Sequence, residues 1–112
     1  FIVIGDNSKI VSKIGQNYFI PIEITPIAWK ITKNLIEKIA KKCIVRENME
    51  KNAFAISSYG NFVLDCEFNY SELDTLAKEI ANTPGVFEHG LFLNLASLAI
   101  VSNNGQIKKI LK

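Results

Sequence analysis

Lys9 follows Asp6-Asn7-Ser8 and comes just after the apolar run Phe1-Ile2-Val3-Ile4-Gly5. A short, unbroken, β-branched run bounded by glycine reads as a strand buried on both faces, the kind found inside parallel sheets. In open α/β sheets ligands gather at the carboxyl edge of such strands. An ammonium there attracts a phosphate or another anion as a point charge. Surface lysines also follow strands, so position alone leaves an ordinary solvated side chain as the competing explanation.

The other reactive groups have plainer explanations. His89 is the single histidine and sits beside Gly90. One imidazole supplies neither a metal site nor a triad, so packing or surface duty is expected. Glu88 is adjacent, but a strand points consecutive side chains to opposite faces. Asp65 and Glu67 share a strand face. General acid–base work would require a pocket around them, and a solvated sheet face accounts for both. Glu23, between Ile22 and Ile24, is expected half buried in a structural ion pair. Cys43 and Cys66 lack Cys-x-x-Cys spacing. They read as two reduced, half-buried thiols of a cytoplasmic protein, with a disulfide as the alternative. The chain has no Gly-rich phosphate loop, no Ser/His/Asp set and no metal-ligand cluster in its sequence.

The elements that must position these groups follow from periodicity and breakers. The first strand ends at Gly5-Asp6, and Asn7 to Lys13 is a turn or short helix that Asp6 or Ser8 can cap. Gly15 to Phe19 is a linker and Ile20 to Ile24 a second strand. Thr25-Pro26 predicts a helix start, with a helix from Pro26 to Ala40. Its core stripe is expected at Ala28, Ile31, Leu35 and Ile39, with Trp29 at the margin. Cys43 to Arg46 is a strand and Glu47 to Asn52 a loop. Ala53 to Ser57 and Phe62 to Phe68 are expected to form a hairpin about Tyr59-Gly60. Ser71 and Asp74 resemble a capping box opening a helix with a Leu73, Leu76, Ala77, Ile80 stripe. Pro84-Gly85 stops it, Val86 to Leu93 is a strand, and Leu98 to Val101 with Gln106 to Leu111 is a hairpin about Asn104-Gly105.

From Ile20 to Leu93 this order is β-α-β-β-α-β, the ferredoxin-like arrangement. The expected division is therefore 1–19 as the last parallel strand and linker of a larger α/β domain, 20–95 as the ferredoxin-like domain, and 96–112 as a hairpin returning to the larger domain. The chain opens on Phe1 rather than Met and runs straight into an apolar strand. That predicts a cut chain whose other parallel strands lie upstream. At 48% hydrophobic and 21% charged residues the composition is that of a folded domain. A net charge of +2 is too small to argue for nucleic acid or an anionic membrane surface, so neither is expected as a partner. The basic residues from Lys30 to Lys42 alternate with apolar ones, as on the wet face of a helix. No apolar run reaches the roughly 18–20 residues that span a bilayer.

Four segments in order resemble the C-terminal half of the type A ribose-5-phosphate isomerase family. They are Asp6-Asn7-Ser8-Lys9, Ile20-Pro21-Ile22-Glu23-Ile24-Thr25-Pro26, Tyr59-Gly60-Asn61-Phe62-Val63-Leu64-Asp65 and Pro84-Gly85-Val86-Phe87-Glu88-His89-Gly90-Leu91-Phe92. The resemblance implies a Rossmann-like catalytic domain with a ferredoxin-like domain inserted near its C-terminal end. It implies interconversion of D-ribose 5-phosphate and D-ribulose 5-phosphate in the pentose phosphate pathway, with no metal or organic cofactor. A carboxylate is implied to shuttle the proton through an enediolate. That base and the phosphate loop are implied to belong to an N-terminal half, so no catalytic residue is expected in this chain. Lys9 is the one substrate contact that carries over. Homodimers or homotetramers are implied as well. Tyr59 stands where the family's turn has Asn, which puts the turn type in question. His89 replaces a common Asn, which marks that position as tolerant. The alternatives are a free-standing ferredoxin-like ligand-binding module and an RNA-recognition sheet. The second lacks the aromatic Lys/Arg-Gly-Phe strand signature.

Overall fold

The computed structural model describes all 112 residues, from Phe1 to Lys112. They form two compact units, Tyr18–Leu91 and the pair of segments Phe1–Asn17 and Phe92–Lys112.

In the Tyr18–Leu91 unit the elements run β2 (Ile20–Ile24), α1 (Trp29–Glu37), β3 (Lys42–Val45), β4 (Phe62–Glu67), α2 (Leu73–Ala81) and β5 (Val86–His89). The sheet order is β3-β4-β2-β5, with every neighbouring pair antiparallel. Each β-α-β step therefore skips one strand, which is the split βαβ topology of the ferredoxin-like fold. Alternation decides the faces. Ile20, Ile22 and Ile24 of β2, Leu64 and Cys66 of β4 and Val45 of β3 are buried, together with Ile36 of α1 and Leu76 and Ile80 of α2. Burying each such aliphatic side chain is worth about 1.5–3 kcal/mol. Pro21, Glu23, Val63, Asp65 and Glu67 take the opposite face.

The local expectations need several corrections. Helix α1 begins at Trp29 rather than Pro26, because Ala28 takes a left-handed conformation (φ 53°) that breaks the register. Thr25 instead closes a turn, its Oγ1 accepting the Ile27 N–H at 3.3 Å. The buried face centres on Thr32 and Ile36, while Ile31 of the expected stripe is 63% exposed. A polar residue can hold the centre because Thr32 Oγ1 donates to the Pro84 carbonyl at 3.1 Å. Trp29 does pack at the margin, edge-on to Phe54 and Phe62. Helix α2 has Glu72 at its N-cap and no side-chain capping bond, so the Ser71/Asp74 box does not form. The segment Ala53 to Ser57 is no strand. It makes one bridge, Phe54 with Glu47, and β4 takes β3 and β2 as neighbours. Strand β5 ends at His89, short of the expected Leu93. The turn before β4 is closed by the Gly60 N–H on the Ser57 carbonyl at 2.9 Å. Gly60 carries the positive φ of 79° there, which relieves Tyr59 of the conformation a bulky residue resists.

The second unit holds β1 (Ile2–Asp6), a short 3₁₀ turn η1 (Asn7–Lys9), β6 (Leu98–Asn103) and β7 (Gln106–Leu111). Here the first strand is not without a partner. β1 pairs in parallel with β6, Ile2 opposite Leu98 through Asp6 opposite Ser102, and β6 pairs with β7 in the expected hairpin. Asn104 and Gly105, at φ 49° and 81°, make its turn. Phe1, Ile2, Val3 and Ile4 are all exposed in this chain, as is the whole of β7.

Candidate functional site

Lys9 stands at the carboxyl edge of the β1–β6 parallel pair. β1 ends at Asp6, whose extended backbone makes it the N-cap of η1. Its Oδ1 accepts the Ser8 N–H at 2.9 Å, and the Ser8 hydroxyl donates to the same oxygen. The Ile10 N–H then closes on the Asn7 carbonyl at 3.2 Å. This Asp-x-Ser bond set turns the chain sharply enough for residue 9 to fold back over the strand. The Lys9 stem passes Gly5, where an added Cβ would meet Lys9 Cγ at 3.6 Å.

The electrostatics of this tip are set by the same bonds. The two Ser8 donors, hydroxyl first and backbone second, hold the Asp6 carboxyl below the usual carboxylate range. The nearby Lys9 charge acts in the same direction. Asp6 is thereby kept as an anion engaged with the turn. Lys9 is an exposed residue, so the tip places a cationic side chain close to the end of a parallel strand.

The remaining candidates are placed elsewhere, in the Tyr18–Leu91 unit, and each is engaged structurally. His89 Nδ1 accepts the Leu91 N–H at 3.2 Å. Asp65 receives a two-pronged bond from Arg46, Nε at 2.9 Å and Nη2 at 2.6 Å, and this partner pushes the guanidinium pKa up. Glu67 lies 3.7 Å from the Lys41 ammonium. Glu23 is not in an ion pair, which corrects the sequence expectation. Its Oε2 accepts from Ser57 Oγ and from Asn61 Nδ2, each at 2.8 Å, while the Asn61 N–H donates to Ser57 Oγ at 3.1 Å. Neutral donors serve a half-buried carboxylate here because they lie in the turn that β4 brings over β2. Cys43 and Cys66 are free thiols, as expected. They lie opposite each other on β3 and β4. No three His, Cys, Asp or Glu side chains come together in a way that could hold a metal ion. No helix is long and apolar enough to cross a membrane.

Comparison with known proteins identifies the family. The family model described as ribose 5-phosphate isomerase A (phosphoriboisomerase A) matches residues 1–106. The ribose-5-phosphate isomerase A of Prochlorococcus marinus (strain MIT 9211) is 39% identical over 103 residues, spanning 90% of this chain and 44% of that protein. The Methanocaldococcus jannaschii enzyme of the same name is 30% identical over 105 residues, spanning 94% of this chain and 46% of that protein. The solved structure of the M. jannaschii protein superposes with a TM-score of 0.88 at 32% identity, covering all of this chain and 49% of that one. A D-ribose-5-phosphate isomerase solved in complex with phospho-erythronic acid gives 0.92 at 31% identity, with the same coverage. The chain thus spans about half the length of the relatives it matches. Matched by sequence from Phe1 to Gln106 and by backbone from end to end, it belongs to the ribose 5-phosphate isomerase A family.

Proposed function

We propose that this chain is the C-terminal portion of an enzyme interconverting D-ribose 5-phosphate and D-ribulose 5-phosphate, and that Lys9 is its contact with the sugar phosphate. In this reading the Phe1–Asn17 and Phe92–Lys112 segments belong to a Rossmann-like catalytic domain. The Tyr18–Leu91 unit is then the ferredoxin-like domain inserted in it. The proton-transferring carboxylate and the phosphate loop lie in the partner half, and the whole works in the cytoplasm as a homodimer or homotetramer without a metal or organic cofactor. The observation that carries the proposal is the Asp6-Asn7-Ser8-Lys9 tip at the carboxyl edge of a parallel strand pair, within a chain matched to this family over residues 1–106.

The chemistry assigns Lys9 a binding duty. The substrate is a dianion, and removing the proton beside the carbonyl builds further negative charge on an enediolate oxygen. An ammonium near either group lowers the energy of the bound state. Phospho-erythronic acid, found on the relative with a TM-score of 0.92, is an anionic phosphate of the same kind and supports an anion-binding site in this architecture. A direct ribose-to-ribulose 5-phosphate assay tests the proposal. The chain alone is expected to give no measurable turnover, since general acid–base catalysis contributes about 10²–10⁴-fold and substrate positioning adds to it. The chain joined to its N-terminal half is expected to turn over. Robust activity of the 112 residues alone, or none in the joined protein, overturns it.

A further inference from the structure

The registry of β3 against β4 sets Cys43 directly across from Cys66. The Arg46 N–H bonds to the Val63 carbonyl at 2.8 Å. Bonded and non-bonded pairs alternate along an antiparallel ladder, so Cys43 and Cys66, three pairs away, form a non-bonded pair. Such pairs have their Cα atoms about 4.5 Å apart, inside the range of about 4.4–6.8 Å that a disulfide spans. The sulfur atoms are already 3.4 Å apart, with Cys66 Sγ donating to Cys43 Sγ. A bond would bring them closer by roughly 1.4 Å, which side-chain rotation can supply. Cys66 is fully buried and Cys43 half-buried beside the Lys33–Glu37 ion pair of α1. The two thiols are therefore unequal in access.

They are unequal in acidity as well. The hydrogen bond from Cys66 stabilises a Cys43 thiolate and lowers its pKa, with Lys33 contributing in the same sense. The same bond, with burial, pushes the Cys66 thiol up. The thiolate is the nucleophile in thiol oxidation, so Cys43 reacts first and Cys66 resolves.

We propose that Cys43 and Cys66 are an oxidation site that closes to a cross-strand disulfide when a hydroperoxide reaches Cys43. The Cys43 thiolate attacks one oxygen of hydrogen peroxide. The O–O bond breaks, a sulfenic acid forms, and the departing hydroxide takes a proton to become water. Cys66 Sγ then attacks Cys43 Sγ. The S–O bond breaks, the S–S bond forms, and the Cys66 proton leaves with the hydroxyl as a second water. Two thiols lose two hydrogens and two electrons, and one peroxide is reduced to two waters. The product fastens the edge strand β3 to β4 and shuts off further oxidation of Cys43.

Hydrogen peroxide treatment of the chain, followed by thiol counting, intact mass and peptide mapping, tests this. Titratable thiols are expected to fall from two to none, and the mass by about 2 Da. One peptide pair should be linked Cys43 to Cys66, and dithiothreitol should restore both thiols. In Cys66→Ala, Cys43 should stop at a sulfenic acid trapped by dimedone. In Cys43→Ser, Cys66 should stay a thiol. The wild-type map decides the matter even if a variant fails to fold. Disulfide-linked dimers through Cys43, a sulfinic Cys43 beside a free Cys66, or two thiols persisting in peroxide would each overturn the proposal.

Discussion

The two units of this chain close their cores to very different degrees. Every buried apolar side chain except Val101 lies in the Tyr18–Leu91 unit. There one sheet face meets two helices, and the buried polar residues, Thr32 and Asn61, are hydrogen bonded, Asn61 to the half-buried Glu23. The other unit is a three-stranded sheet with Phe1, Ile2, Val3, Ile4, Ile107, Ile110 and Leu111 in the open. A sheet of that composition gains its stability from layers packed on its faces. The relatives this chain matches are about twice its length, so in the proposed enzyme the layers come from the other half. The unit that holds nearly all the buried apolar side chains and the unit that carries Lys9 are thus different ones.

The largest effect that sharpens this contrast is a cavity. Leu64→Ala, at a position with no exposure, is expected to cost about 2–5 kcal/mol. Ile4→Ala, 78% exposed, should stay within about 0.5 kcal/mol in the same chain. Urea unfolding midpoints of the two variants measure both, and equal losses would break the comparison. A smaller effect comes from a tight turn in the closed unit. Gly85 has φ 91°, and a Cβ there would clash with Thr32 Oγ1. Gly85→Ala should cost about 1–3 kcal/mol from strain and overpacking. Thr32→Ala in the same chain should recover part of it, and thermal melts of the single and double variants show whether it does.

The smallest effect concerns the tip of the open unit. The Asp6 pKa is lowered in the folded chain. Its hydrogen bonds are therefore complete above the unfolded carboxylate pKa of about 3.9 and are lost as pH falls through the lower folded value. Side-chain carbon shifts of Asp6 across an acid titration should show a midpoint below about 3.9, and the Ser8 amide should move with it. A midpoint at or above that value would mean that the turn holding Lys9 is not formed.

Periodicity was enough to place the β-α-β-β-α-β order, because Phe62, Leu64 and Cys66 alternate cleanly and Leu76 and Ile80 recur at helical spacing. The Asn104-Gly105 turn was legible for a local reason also, since few sequences accept two successive positive φ values. What escaped depends on distance in sequence. Nothing local announces that Ile2 pairs with Leu98, so β1 read as a strand without neighbours in the chain. Glu23 read as half of an ion pair because its partners Ser57 and Asn61 are 34 and 38 residues away. Thr32 hid the true face of α1 because its acceptor, the Pro84 carbonyl, is 52 residues on. Thr25-Pro26 misled for the opposite reason: the local signal was good, and the left-handed Ala28 overrode it. Lys9 was legible as a candidate from its place after a strand. The bonds of Asp6 and Ser8 that fix it became visible only in the fold.

Steady-state kinetics of Lys9→Met in the joined, full-length protein test the central claim most directly. Lys9 is assigned to hold the sugar phosphate in ground and transition states alike, so KM should rise with kcat nearly unchanged. Lys9→Arg should recover only part of the loss, because a planar fork needs more room than a point charge. A kcat lower by about 10²-fold would place the ammonium on the developing oxyanion instead. Both constants within about twofold of the parent, the size of effect left by an exposed lysine whose charge pairs are worth about 0–1 kcal/mol, would contradict the assignment of Lys9 to the site.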